Sequence, residues 1–142
     1  MRIAIFAEVD PNFAEGPAVW LVNLAQMLAA QPGWEVAVLL RARVTRPEVL
    51  APLVNLDNVK LVDPYLLGWI DQATRPQLAI DHAIDFLERM DRERRFDVFI
   101  IRGVPVSRAA ANRVSLRGRL ACYLTDFPQP PANLVGTNFV SI

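Results

Sequence analysis

Short apolar runs separated by longer amphipathic stretches set the rhythm of this chain from its first residues. RIAIFA (Arg2–Ala7), β-branched at Ile3 and Ile5, predicts a strand buried on both faces. A mostly polar loop follows, as far as Gly16. From about Ala18 to Ala30 the chain is apolar almost all round, interrupted by Asn23 and Gln26, which predicts a heavily covered helix. Pro17 stands where a first helical turn tolerates proline, and QPG (Gln31–Gly33) stops the helix. WEVAVLL (Trp34–Leu40) and VKLVD (Val59–Asp63) predict the second and third strands; between them RPEVLAPLVN predicts a short helix broken by Pro52. PYLLGWI (Pro64–Ile70) reads as one turn of helix with exposed aromatics. RPQLAIDHAIDFLERMDRERR (Arg75–Arg95) predicts a long helix, with Ile80, Ala83, Ile84, Leu87 and Met90 on one face and Asp85–Arg89 and Glu88–Arg92 pairs outside. FDVFIIRG (Phe96–Gly103) is a fourth strand, VSRAAANRVS a short helix, and RLACYLTDF (Arg119–Phe127) opens with a fifth strand.

Strands alternating with helices predict an α/β, Rossmann-like three-layer domain, with a mostly parallel sheet of five or six strands and right-handed crossovers. The 142 residues suit a single domain, and 53% hydrophobic against 21% charged residues is globular composition. Zero formal net charge argues against a broad electrostatic footprint for nucleic acid or an anionic membrane. One cysteine, Cys122, excludes an internal disulfide, and one Cys with one His cannot make a zinc site. Cys122 is expected to be a core thiol, and His82, between Asp81 and Asp85, a surface residue. The N-terminus is too short in apolar residues for a signal peptide, and no apolar stretch reaches the about 20 residues that span a bilayer. A cytoplasmic protein without metal or cofactor is the expectation.

Ligands on such sheets bind beyond the carboxyl ends of the strands. Three strand ends are therefore candidates: Ala7–Gly16, Arg102–Ser107 and Thr125–Pro131. The first lacks the G-x-G-x-x-G of a dinucleotide turn. Gly16 and Pro17 open a helix whose N-terminal N–H groups suit an anion or a hydroxyl; a plain loop-to-helix turn is the competing reading. Glu8, Asp10, Asn12 and Glu15 are either acceptors for sugar hydroxyls or solvated loop residues. Arg102 follows two buried isoleucines, with Gly103 permitting a sharp exit, and either clamps a phosphate or carboxylate or pairs with a neighbouring acid. Asp126, beside Thr125, is either a general base or hydroxyl-orienting acceptor, or an Asx-type turn ahead of Pro128. Trp20, Trp34 and Trp69 are read as packing residues.

Taken together, MRIAIFAEVDPNFAEGPAVWLVNLAQMLAAQPGWEVAVLL, FDVFIIRG and RLACYLTDFP resemble the N-terminal, acceptor-side domain of family 4 (group 1) glycosyltransferases of the GT-B fold. VNLAQMLAAQPGWEV matches that family's vxxLAxxLaxxGHeV helix and strand, and Gly16–Pro17 stands where the family often has paired glycines. Where the later strand of the family often ends in threonine, histidine and an acid, this chain has Thr125–Asp126 and no histidine. The resemblance covers about Met1–Pro128. It implies transfer of a sugar from a nucleotide-sugar donor to an acceptor. Glu8, Gly16, Pro17, Arg102, Gly103 and Thr125 would bind substrate and Asp126 would act in catalysis, without cofactor. It also implies a second, donor-binding domain or partner chain; ANLVGTNFVSI (Ala132–Ile142) is enough for one strand, so the isolated chain is expected to be inactive. The alternative is a non-enzymatic, flavodoxin-like binding or interaction module. Tyr65, Leu66, Leu67 and Trp69, with no clear partner in the sequence, raise the expectation of self-association.

Overall fold

The computed structural model describes residues 1–68 and 77–123 and the backbone of Phe139–Val140. Six parallel strands form one sheet: β1 (Arg2–Ala7), β2 (Glu35–Leu39), β3 (Val59–Val62), β4 (Val98–Arg102), β5 (Leu120–Tyr123) and β6 (Phe139–Val140). Their spatial order is β3-β2-β1-β4-β5-β6. This is the doubly wound dinucleotide-fold order rather than the 2-1-3-4-5 of flavodoxin-like domains.

The helices divide between the two faces. Ile3, Ile5 and Ala7 of β1 face a cluster with α1 (Gly16–Ala29) and α2 (Ala51–Val54). Ala4 and Phe6 face the other cluster, with α3 (Ile80–Arg94), α4 (Val104–Ala111) and α5 (Val114–Arg117). Right-handed crossovers explain the division: steps from β1 to β2 to β3 carry helices over one face, and the return to β4 and β5 carries them over the other. β1 is enclosed on both faces, which is why its sequence is a continuous apolar run. Each fully buried Ile or Phe in it contributes about 1.5–3 kcal/mol.

At the amino end of the sheet, α3 is latched to β4 and β5. Arg95 ends the helix in the left-handed region (φ 55°) and its N–H donates to the Asp91 carbonyl at 2.7 Å. Phe96 N donates to Asp91 Oδ1 at 3.0 Å, and the Arg119 guanidinium donates two bonds to the same carboxylate, at 2.9 and 2.7 Å. Burial works against the Asp91 charge, but these donors outweigh it and hold the carboxyl below the usual aspartate range; Asp91 in turn raises Arg119. Arg113 carries α5 onto α3 through Asp85 at 3.3 Å and Glu88 at 3.9 Å, and Arg89 pairs with Glu93 at 3.5 Å.

Four local expectations are corrected. Pro52 does not break a helix: a 3-10 turn at Pro47–Val49 precedes α2, and Pro52 falls in the first turn of α2, where no N–H is needed. The long helix starts at Ile80, because Gln77 bridges Ala42 and Leu78 N donates to the Arg41 carbonyl at 2.9 Å. VSRAAANRVS is two helices, α4 and α5, separated at the extended Arg113 (φ −93°, ψ 118°). Tyr65 is buried at 1% exposure, because Asp63 Oδ1 accepts N–H bonds from Tyr65 at 2.8 Å and Leu66 at 3.4 Å and turns the ring inward. Leu66 is the exposed member of that segment, at 81%; Trp69 lies outside the described residues. Cys122 is buried, and burial pushes its thiol pKa up. His82 is exposed.

Candidate ligand-binding rim

The strand order reverses between β1 and β4, so the crevice lies at their carboxyl ends. Glu8 leaves β1 there, and its N–H donates to the Arg102 carbonyl at 3.1 Å, extending the β1–β4 ladder by one residue. The Glu8 carboxylate meets Arg41 Nη1 at 3.2 Å, with both side chains 19% exposed. Arg41 is fixed by a second bond, from its Nε to the Leu78 carbonyl at 3.2 Å.

Gly103 follows Arg102 with φ 117° and ψ 126°, a conformation that favours glycine. A Cβ there would lie 2.8 Å from Glu8 Cγ and 2.9 Å from Glu8 Cδ. The absent side chain therefore both permits the turn into α4 and leaves room for the Glu8 carboxylate. Gly16 differs: a Cβ built on it meets nothing within 4 Å, so the start of α1 is open to solvent. Pro17 is in the first turn, and no side chain caps the helix.

Arg102 lies against Trp20, its guanidinium carbon 5.3 Å from the ring centroid, and Trp20 stacks on Tyr123 at 4.7 Å. Trp20 is thus packing, as the sequence suggested, but it packs the rim rather than the deep core. Asp63 leaves β3 as Glu8 leaves β1, and Arg41 follows the end of β2. In the spatial order of the sheet the rim reads Asp63, Arg41, Glu8, Arg102, alternating in sign. Tyr65 sits beside this row; burial raises its pKa, Asp63 adds to the rise and Arg41 opposes it.

The loop of residues 7–16 is tied down by Asn12. Its Nδ2 donates to the Arg43 carbonyl at 2.8 Å and to Asp10 Oδ1 at 2.7 Å. Its Oδ1 accepts N–H bonds from Thr45 at 2.6 Å and Arg46 at 2.9 Å. Asn12 is therefore a tether between two rim loops and not a free acceptor for a sugar hydroxyl. Glu15 contributes its carbonyl, which accepts from Ala18 and Val19, both at 3.0 Å.

Of the residues singled out in the sequence, Glu8, Arg102 and Gly103 come together directly, and Gly16 and Pro17 open the helix that leads from the same strand end. Thr125 and Asp126 lie outside the described residues. Tyr123 of β5 pairs with Arg102, so the strand preceding them ends on this rim. Sequence reasoning missed Arg41, although its signal was the one that marked Arg102: a lone charge directly after a buried apolar run.

Fold and rim define a doubly wound α/β domain with its crevice at the β1–β4 reversal. Compared with protein-family models, with curated proteins and with solved structures, the chain matches none of them. Among the described residues no group of three His, Cys, Asp or Glu side chains could hold a metal ion, and no helix is long and apolar enough to cross a membrane.

Proposed function

We propose that the β1–β4 rim is the acceptor-binding face of a sugar-transferring enzyme of the GT-B kind, and that its ligand is a neutral, hydroxylated acceptor. The observation that carries this reading is the Glu8 carboxylate. It is partly buried, held by Arg41 at 3.2 Å and seated over Gly103 at the crevice. A carboxylate is acceptor-only, so it suits hydroxyl donors. The alternation of acids and arginines along the rim supports a hydroxylated ligand over a polyanion, for which a net positive rim would be the better match. Glu8 then orients an acceptor hydroxyl, Arg102 bounds the subsite beneath Trp20, and Gly16 leaves the start of α1 accessible. Asp126 keeps the role of general base or hydroxyl-orienting acceptor. In this reading a second domain or partner chain presents the nucleotide-sugar donor across the crevice.

The test is backbone-amide NMR of the 142-residue chain titrated with neutral mono- and disaccharides, repeated with Glu8→Gln. Saturable shifts at Glu8, Gly16 and Gly103 that weaken in the variant are expected. Saccharides that leave these amides unmoved, or that bind the variant as they bind the wild type, would sink the reading.

A further inference from the structure

A second concavity runs along the outer edge of β3, the last strand on that side of the sheet, and meets the rim at Asp63 and Tyr65. It has a volume of about 540 Å³, within the range of ligand pockets. Its walls include Leu50, Val54, Leu61, Leu67 and Met90, of which Val54 and Leu67 are 66% and 47% exposed. Three cations stand among these apolar groups: Arg43, Lys60 and Arg94.

Within the groove the cations outnumber the acids three to two. Two acids line the groove, and both are engaged: Asp63 accepts the Tyr65 and Leu66 N–H groups, and Glu93 pairs with Arg89 at 3.5 Å. Among the described residues Arg43, Lys60 and Arg94 take part in no ion pair. Arg94 Nε is also buried and makes no hydrogen bond. A buried donor without an acceptor is costly, and a guanidinium group suits a carboxylate or phosphate partner. Lys60 and Arg94 also line a neighbouring, more polar cavity of about 340 Å³ at the amino ends of the strands, with Arg2 and the acids Glu35, Asp57 and Glu93, so hydrated polar space adjoins the apolar groove there.

From this juxtaposition we propose that the β3 groove binds an amphipathic anion, a single apolar chain carrying one carboxylate or phosphate head. The chain lies against Leu50, Val54, Leu61, Leu67 and Met90, and the head is held by Lys60 and Arg94. The proposal is independent of the function assigned to the rim. The edge strand itself is only four residues long and carries Lys60, features that discourage pairing with an added peptide strand.

The experiment titrates the chain by calorimetry and methyl NMR with decanoate, decyl phosphate and decanol, each below its critical micelle concentration. Saturable one-to-one binding of an anion, shifting the methyls of Leu61, Leu67 and Met90, is expected, and decanol should bind roughly tenfold more weakly or worse. Preference for decanoate or for decyl phosphate identifies the head. The double variant Lys60→Gln/Arg94→Gln should weaken anion binding by about tenfold or more. Leu67→Glu, on the exposed wall, should remove binding while the thermal melt stays that of the wild type. If neither anion saturates, if decanol binds as tightly, or if the double variant binds as the wild type does, the proposal is overturned.

Discussion

Replacing Gly103 by alanine tests the geometry of the rim most sharply. Two costs add. The first is backbone strain: φ 117° and ψ 126° are disfavoured for an L side chain, and holding such a residue there costs about 1–3 kcal/mol. The second is steric: the new methyl would sit 2.8 Å from Glu8 Cγ and 2.9 Å from Glu8 Cδ, well inside the roughly 3.5–4.0 Å of a comfortable carbon contact. Glu8 is flexible and can swing aside, but it then gives up Arg41 at 3.2 Å. With each side chain 19% exposed, losing that pair costs roughly 1–2 kcal/mol, less than a fully buried charged bond. The sum is about 2–5 kcal/mol, a fall in melting temperature of roughly 4–20 °C for a domain of this size. Urea unfolding of wild type, Gly103→Ala, Glu8→Ala and the double variant separates the two costs. In the Glu8→Ala background the glycine substitution should cost only the strain, so the coupling should be about 1–2 kcal/mol. A Gly103→Ala protein within about 0.5 kcal/mol of wild type, the scatter of ordinary surface substitutions, would refute the strain argument. An equal cost in both backgrounds would refute the contact with Glu8.

The Asp91 latch gives a pH signature. Its folded pKa is depressed, so its stabilisation is fully present above the ordinary aspartate range near pH 4 and is lost as pH falls through the lower folded value. Asp91→Asn should therefore cost about 2–3 kcal/mol at neutral pH and converge on wild type in acid, as read by urea melts across pH; a gap that widens in acid would contradict this. Asn12→Ala should speed hydrogen exchange at the Thr45 and Arg46 amides and lower stability by only about 0.5–1.5 kcal/mol; unchanged exchange would show that the tether is not made in solution. Native Cys122, buried with a raised pKa, should react with thiol reagents only after unfolding, and rapid modification in native buffer would count against its placement.

Much of the architecture was readable without coordinates. The apolar run of β1 required cover on both faces, those of β2 and β4 read as further strands, and the alternation of strand and helix required a parallel sheet. Of the α3 face read from its period, Ala83, Ile84, Leu87 and Met90 are buried, while Ile80, at the first turn, is half-buried. The rim was partly readable too, since Glu8 and Arg102 each follow a buried strand. These features depend on neighbours in the chain: burial periodicity, helix stops and strand ends are local. Local pattern did not separate the order 3-2-1-4-5-6 from its flavodoxin-like rival, because both contain the same alternating elements. Nor did it show that Arg41 would meet Glu8, that Asn12 would be consumed by residues 43–46, or that Asp63 would turn Tyr65 inward. The groove beside β3 was equally hidden, because its walls come from the segment after β2, from α2, from β3 and the residues after it, and from α3. Sequence determined which groups leave water; only the folded sheet decided which of them meet, because each of those contacts joins segments that local pattern leaves independent.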